Sequence, residues 1–190
     1  MPRLFTGIEL PEPIRDQLAD LRVPLPGAKW VDPDDLHLTL RFIGDVDNRV
    51  AAEFRDALSL VEEPGFSLRI SGLGAFGGHQ PKAIWAGIEA NEALDALARA
   101  NERAARNAGL APERHGFKAH ITLARLKYTR SDEVARVLGT FGGVRSEPFM
   151  VDRFMLFSSR PQVGGGPYVV EEEFPLGGFG ENAYHDGLDW

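Results

Sequence analysis

His37-Leu38-Thr39-Leu40 and His120-Ile121-Thr122-Leu123 are two copies of one pattern, and their reading decides the fold. Each copy is short and apolar and carries Thr or Ile, residues suited to a pleated surface, so each reads as a β-strand. Side chains alternate faces along a strand. His37 and Thr39 therefore share one face, and Leu38 and Leu40 the other. His120 and Thr122 stand in the same relation to Ile121 and Leu123. A core takes the aliphatic face and has no use for a His two residues from a Thr. Two such polar faces brought together make a cleft with two imidazoles and two hydroxyls: an acid, a base and two hydrogen-bond donors.

The copies lie 83 residues apart (120 − 37). In each half a strand precedes a helix, and the motif strand follows. That spacing reads as an internal duplication and is too long for a solenoid repeat. The other expected strands are residues 3–9, 66–76, 83–88, 151–157 and 168–174, and the motif strands cover 36–43 and 117–124. Helices are expected from Pro11 to about Leu21, Arg49 to Glu62 with Asp47 as cap, Asn91 to Ala108 ended by Gly109, and from a Ser131 cap to near Gly139. The short turns favour antiparallel pairing. The reading is α+β: two lobes related by a pseudo-twofold, mostly antiparallel sheet with helices outside, and a site in the cleft between. Residues 1–176 form a single bilobal domain, and the Gly-rich stretch 177–190 reads as a flexible tail.

Composition bounds the function. The chain has 190 residues, enough for one domain or two small lobes sharing a core. It has no Cys, which excludes disulfides, thiolate catalysis and Cys-based zinc sites and fits a reducing cytosol. The N-terminal apolar run is short and broken by Glu9, unlike a signal peptide. No stretch approaches the roughly 18 apolar residues of a membrane span. The expectation is a soluble, cytoplasmic protein, taken as a monomer, with no membrane partner. A net charge of −7 argues against an extended grip on nucleic acid and leaves room for one terminal phosphate in a locally basic pocket.

Imidazole titrates near neutrality, so two of them on opposite sides of a phosphorus can divide proton removal and proton donation. Thr hydroxyls can donate to the non-bridging oxygens. Two His alone could also ligate a metal, but no third ligand with typical spacing accompanies them. Asp35 shares the face of His37 and could complete such a site, orient the imidazole or sit in solvent. Arg41 is four residues after His37, so strict alternation puts it in the cleft. Arg125 is five after His120, so strict alternation puts it on the opposite face unless a bulge redirects it. Either guanidinium would suit a phosphate. His79, His115 and His185 read as surface residues. Gly164-Gly165-Gly166 reads as a loop, since no helix start follows it. Trp85, Phe42 and Phe117 read as core, with Phe117 the best candidate for a cleft aromatic.

With these stretches, and with Arg3-Leu4-Phe5-Thr6-Gly7-Ile8, Gly74-Ala75-Phe76, Ala83-Ile84-Trp85-Ala86-Gly87, Leu156-Phe157-Ser158-Ser159 and Gly166-Pro167-Tyr168, the chain resembles the two-histidine (2H) phosphoesterases. Within them it resembles the RNA 2′,3′-cyclic phosphodiesterases, also called 2′–5′ RNA ligases. The resemblance implies a hydrolase that needs no cofactor and no metal and opens a terminal 2′,3′-cyclic phosphate to a 2′-phosphate. It makes His37 the proton donor and His120 the proton acceptor. Thr39, Thr122 and Arg125 become the phosphate ligands, with Arg125 preferred to Arg41. The implied partners are RNA 3′ ends or nucleotides bearing the cyclic phosphate. Ala119 departs from the Pro expected in the family. Other readings of the same residues are 2′–5′ RNA ligation, hydrolysis of another cyclic phosphate, and a non-catalytic module that binds RNA ends.

Overall fold

The computed structural model describes residues 1–160 and 165–178. The expected tail, with His185, falls outside them beyond residue 178, as does Gly164. Gly177 is hydrogen bonded in both directions, its carbonyl accepting from Gly65 N–H and its N–H donating to the Glu63 carbonyl.

Ten strands, four α-helices and a 3-10 turn at Pro33–Asp35 make up the described chain. The strands and α-helices are β1 (Arg3–Glu9), α1 (Glu12–Ala19), β2 (Ala28–Trp30), β3 (His37–Asp45), α2 (Asn48–Ser59), β4 (Phe66–Leu68), β5 (Ile70–Phe76), β6 (Ala83–Ile88), α3 (Glu92–Asn107), β7 (His120–Leu126), α4 (Ser131–Phe141), β8 (Phe149–Val151), β9 (Arg153–Ser159) and β10 (Val169–Pro175). The strands form two four-stranded sheets, ordered β10-β9-β1-β3 and β2-β7-β6-β5, and a two-stranded ribbon β4-β8. Every strand pairing is antiparallel. The architecture is α+β and bilobal, one motif strand to each main sheet.

The 83-residue offset of the motifs reappears in the elements that follow them. Shifted by 83, β4 and β5 begin at 149 and 153, where β8 and β9 begin, and α2 begins at 131, where α4 does. The two halves then exchange strands. β5 follows the first motif yet pairs with β6 in the second sheet. β9 follows the second motif yet pairs with β1 in the first sheet. The β4-β8 ribbon marks the crossing, Phe66 opposite Val151 and Leu68 opposite Phe149. Each lobe is thus built from both halves, and neither half could form its sheet alone. The single strand expected over residues 66–76 is divided for this reason: Phe66–Leu68 belongs to the ribbon and Ile70–Phe76 to a main sheet.

Local chemistry sets the helix limits. The Asp47 carboxylate accepts from Val50 N–H (2.8 Å) and the Asn91 side chain from Leu94 N–H (2.9 Å), each an N-cap. Ser131 does not cap α4. Arg130 occupies that position without a side-chain bond, and Ser131 is the first helical residue. Phe54 and Leu58 of α2, with Leu94 and Leu97 of α3, bury against Leu38, Ile70, Ile84 and Ile121 of the sheets in one continuous core. A separate cluster of Phe5, Met155 and Phe157, with Tyr168 packed against it, fills the other face of the first sheet. That second cluster forms the wall behind His37. Among the described residues no helix is long and apolar enough to cross a membrane.

Candidate active site

Both motif strands carry a β-bulge at the same place. In β3, Thr39 pairs with Gly7 and Arg41 with Thr6, so Leu40 is the extra residue. In β7, Thr122 pairs with Trp85 and Ala124 with Ile84, so Leu123 is extra. Each stands three residues after its His. A bulge adds one residue and reverses the alternation beyond it. The fourth position after each His therefore turns into the protein and the fifth into the cleft. Arg41 and Ala124 are buried, whereas Phe42 is 46% exposed and Arg125 is exposed. This corrects the placement of both arginines by strict alternation.

Arg41 is 9% exposed and borders the cavity that holds His120, but not the one that holds His37, Thr122 and Arg125. Its guanidinium donates to Glu102 (2.6 Å) and to the carbonyls of Phe42 (2.6 Å) and Ala111 (2.6 Å), with Glu113 at 3.5 Å. It ties the first motif strand to α3 and to the loop before the second motif. The Glu102 carboxyl is held below the usual range: Arg106, the Glu113 N–H and Arg41 together outweigh its partial burial.

A cavity of 390 Å³ lies between the lobes, lined by His37, Thr39, Thr122, Arg125, Phe42 and Tyr168 among others. His120 lines an adjoining 370 Å³ cavity that also contains Thr39, Phe42, Phe117 and Lys118. Thr39 and Phe42 belong to both, so the two histidines are served by one continuous groove. Phe42 and Phe117 both line it, which corrects the core reading of Phe42. Trp85 lies beneath His120, its ring centroid 6.2 Å away, with Lys118 Nζ over the indole at 4.6 Å.

The two imidazoles are fixed in the same way. His37 Nδ1 lies 2.7 Å from the Asp35 carbonyl and His120 Nδ1 lies 2.6 Å from the Lys118 carbonyl, in each case the residue two before. A carbonyl can only accept, so each Nδ1 carries the hydrogen and each Nε2 is left for the cleft. His37 Nε2 is 2.9 Å from Thr39 Oγ1. Asp35 thus orients the imidazole through its backbone. Its carboxylate accepts instead from Tyr168 N–H (3.1 Å), which holds the Tyr168 ring edge-on to His37 at 5.0 Å. Gly166 makes this approach possible, because a Cβ there would overlap the Asp35 carboxylate.

The surroundings of the two rings differ. Phe5 (4.8 Å), Tyr168 (5.0 Å) and Phe157 (5.9 Å) pack around His37. Burial pulls its pKa below the ordinary value, and the charges of Arg125 and His120 add to this, while the Asp35 carbonyl and carboxylate work in the opposite direction. Among the described residues the ring neighbours of His120 are Phe76 (5.0 Å) and Trp85. Arg125 reaches the Tyr168 hydroxyl at 3.5 Å. Among the described residues no three His, Asp or Glu are grouped to hold a metal ion. His79 and His115 are exposed and line neither cavity. Tyr168 and Phe5 are the site residues that sequence reasoning missed. Tyr168 stood in a quoted stretch, but nothing local in the sequence tells that it returns 131 residues later to cover His37 (168 − 37).

Comparison with known proteins places the chain among phosphoesterases. It matches the family described as LigT like Phosphoesterase over residues 8–85 and 87–168, one His-x-Thr in each stretch. A protein of Methanothermobacter thermautotrophicus named RNA 2′,3′-cyclic phosphodiesterase is 30% identical over 184 residues, covering 92% of this chain and 98% of that one. The Aquifex aeolicus protein of the same name is 31% identical over 175 residues, covering 90% and 91%. The crystal structure of E. coli LigT complexed with 3′-AMP superposes with a TM-score of 0.74 at 26% identity, covering 93% of this chain and 99% of that one. The bulged pair of motif strands, the bilobal sheets and this similarity along most of its length make the chain a member of the LigT-like family of 2H phosphoesterases.

Proposed function

We propose that the protein opens a 2′,3′-cyclic phosphate, at an RNA 3′ end or on a nucleotide, to leave a 2′-phosphate by acid–base catalysis between His37 and His120 without a metal or cofactor. The observation that carries this is the matched presentation of two Nε2 atoms to one groove, each secured by a carbonyl two residues earlier. The relatives named as RNA 2′,3′-cyclic phosphodiesterases support the substrate class, as does 3′-AMP in the E. coli structure.

In this reading His120 is the acceptor. With Nδ1–H committed to the Lys118 carbonyl, the Nε2 lone pair of the neutral ring takes a proton from water. The water oxygen bonds to phosphorus, the P–O3′ bond breaks, and His37 delivers its Nε2 proton to the departing 3′ oxygen. Each role is typically worth about 10²–10⁴-fold in rate. Thr39, Thr122 and Arg125, which line the cavity with His37, donate to the phosphoryl oxygens. A buried donor with a depressed pKa holds its proton poorly in the empty site. The anionic phosphate opposes that depression, so substrate charges its own acid. We place the reaction in the cytoplasm, with which the absence of Cys is compatible.

The test is turnover of a nucleoside 2′,3′-cyclic phosphate by His37→Ala and His120→Ala. Each should lose hydrolysis while retaining the wild-type circular dichroism spectrum. Full activity in either variant would end this reading.

A further inference from the structure

Lys29 stands directly opposite Arg125 in the β2–β7 register. Directly paired residues leave a sheet on the same face, with Cβ atoms roughly 5 Å apart. Both side chains line a further cavity of 530 Å³, together with Arg160, Asp32, Asp34 and Asp35. Val31, Arg125, Gly165 and Tyr168 line both this cavity and the 390 Å³ one holding His37, so the two are continuous.

The carboxylates in this cavity are already engaged. Asp35 accepts from Tyr168 N–H (3.1 Å), Asp32 accepts from Asp34 N–H (2.9 Å), and Asp34 pairs with Arg15 at 3.5 Å. The cations have donors to spare. Among the described residues Arg160 gives one bond, to the Gly166 carbonyl (3.0 Å), and Arg125 one long contact, to Tyr168. Lys29 is exposed and makes no hydrogen bond or ion pair among the described residues. The three carboxylates keep their charge, but each has a partner of its own, which leaves Lys29 and the further donors of Arg125 and Arg160 to meet an anion.

The location says which anion. If His37 protonates the 3′ oxygen, the terminal ribose lies on its side of the groove, and the chain leaves from that ribose through its 5′ oxygen. This cavity is the continuation of the groove on that side. We infer that Lys29 binds the phosphodiester on the 5′ side of the terminal nucleotide, one cross-strand step from the Arg125 that holds the cyclic phosphate, and so makes the site prefer an RNA chain end to a mononucleotide. The inference rests on the phosphodiesterase reading and adds to it a second phosphate subsite. A protein of net charge −7 thereby holds RNA by a local pair of cations.

The experiment compares kcat/KM for a trinucleotide ending in a 2′,3′-cyclic phosphate with that for a nucleoside 2′,3′-cyclic phosphate, which has no such phosphodiester. Wild-type protein should favour the trinucleotide. Lys29→Gln should lower the trinucleotide value by about 5–20-fold, the loss of one charge-assisted contact, and leave the nucleoside value unchanged. It should also make the logarithmic salt dependence of the trinucleotide value shallower by about 0.7. Lys29→Arg should retain the preference. An unchanged trinucleotide value in Lys29→Gln, or an equal loss on both substrates, overturns the inference while nucleoside turnover leaves the phosphodiesterase reading standing. Turnover of neither substrate by wild-type protein defeats both.

Discussion

Replacing Arg41 by Leu should cost stability and spare chemistry, and replacing Arg125 by Leu should do the reverse. Leu at 41 fills most of the volume of the arginine stem, so the loss falls on the guanidinium bonds. Two go to carbonyls, of Phe42 and Ala111, each at 2.6 Å. A buried bond of this kind is worth about 1 kcal/mol. The links to Glu102 and Glu113 count for less. These carboxylates are 22% and 36% exposed, and Glu102 keeps Arg106 at 2.9 Å, so each is discounted toward the 0–1 kcal/mol of a solvated pair. The expected destabilisation is about 2–4 kcal/mol. For a chain of this size that lowers Tm by roughly 5–15 °C. Among the described residues Arg125 makes one long contact, 3.5 Å to Tyr168, so its removal should change stability by less than about 0.5 kcal/mol. The same removal should slow turnover by about 10²–10³-fold, the usual cost of losing one positioned donor to a developing anion. Calorimetric Tm and kcat/KM on a nucleoside 2′,3′-cyclic phosphate measure the two axes. An Arg41→Leu protein with wild-type Tm and no turnover would show that guanidinium acting on the phosphate and refute the bulge argument.

The pH dependence should show the depressed pKa of His37. As proton donor it must be charged, so kcat/KM should begin to fall with rising pH below the ordinary histidine range, and the corresponding limb of kcat should lie higher because bound phosphate raises that pKa. Coincident limbs in the two profiles would argue against it. The same shift makes stability fall on acidification: the unfolded state binds the proton first, so stability is full above the unfolded His value of about 6.5 and is lost as pH drops through the folded one. His37→Asn should flatten that slope in chemical denaturation. Gly166→Ala should push Asp35 and Tyr168 apart and lower kcat/KM with little change in Tm, whereas an active variant would show that Tyr168 need not sit on His37. Gly74→Ala would place a methyl inside the Trp85 indole and should disturb the wall under His120, read as lost turnover together with changed Trp fluorescence.

Sequence carried the architecture as far as local periodicity and repetition reach. The alternation of His37, Leu38, Thr39 and Leu40 gives the strand and its faces, and the repeat at 120 gives a second lobe. The cap residues Asp47 and Asn91 mark their helices. Long-range facts were out of reach. Nothing near Ile70 says that β5 crosses to the other sheet, because that choice depends on pairing with β6. A bulge at Leu40 or Leu123 depends on the partner strands β1 and β6, so alternation alone misplaced Arg41 and Phe42. The resemblance pointed to Arg125 where the counting did not. Asp35 was legible as a neighbour of His37, but its carbonyl makes the contact to the ring and its carboxylate holds Tyr168, a division that only the backbone path reveals.

The central claim is that two imidazoles alone open the cyclic phosphate by expelling the 3′ oxygen. Its most direct test is phosphorus NMR of a short RNA ending in a 2′,3′-cyclic phosphate, incubated with the protein in excess EDTA. The account predicts complete conversion to the 2′-phosphomonoester at the rate seen without EDTA. A 3′-phosphate product, or turnover abolished by EDTA and restored by added metal, would contradict it.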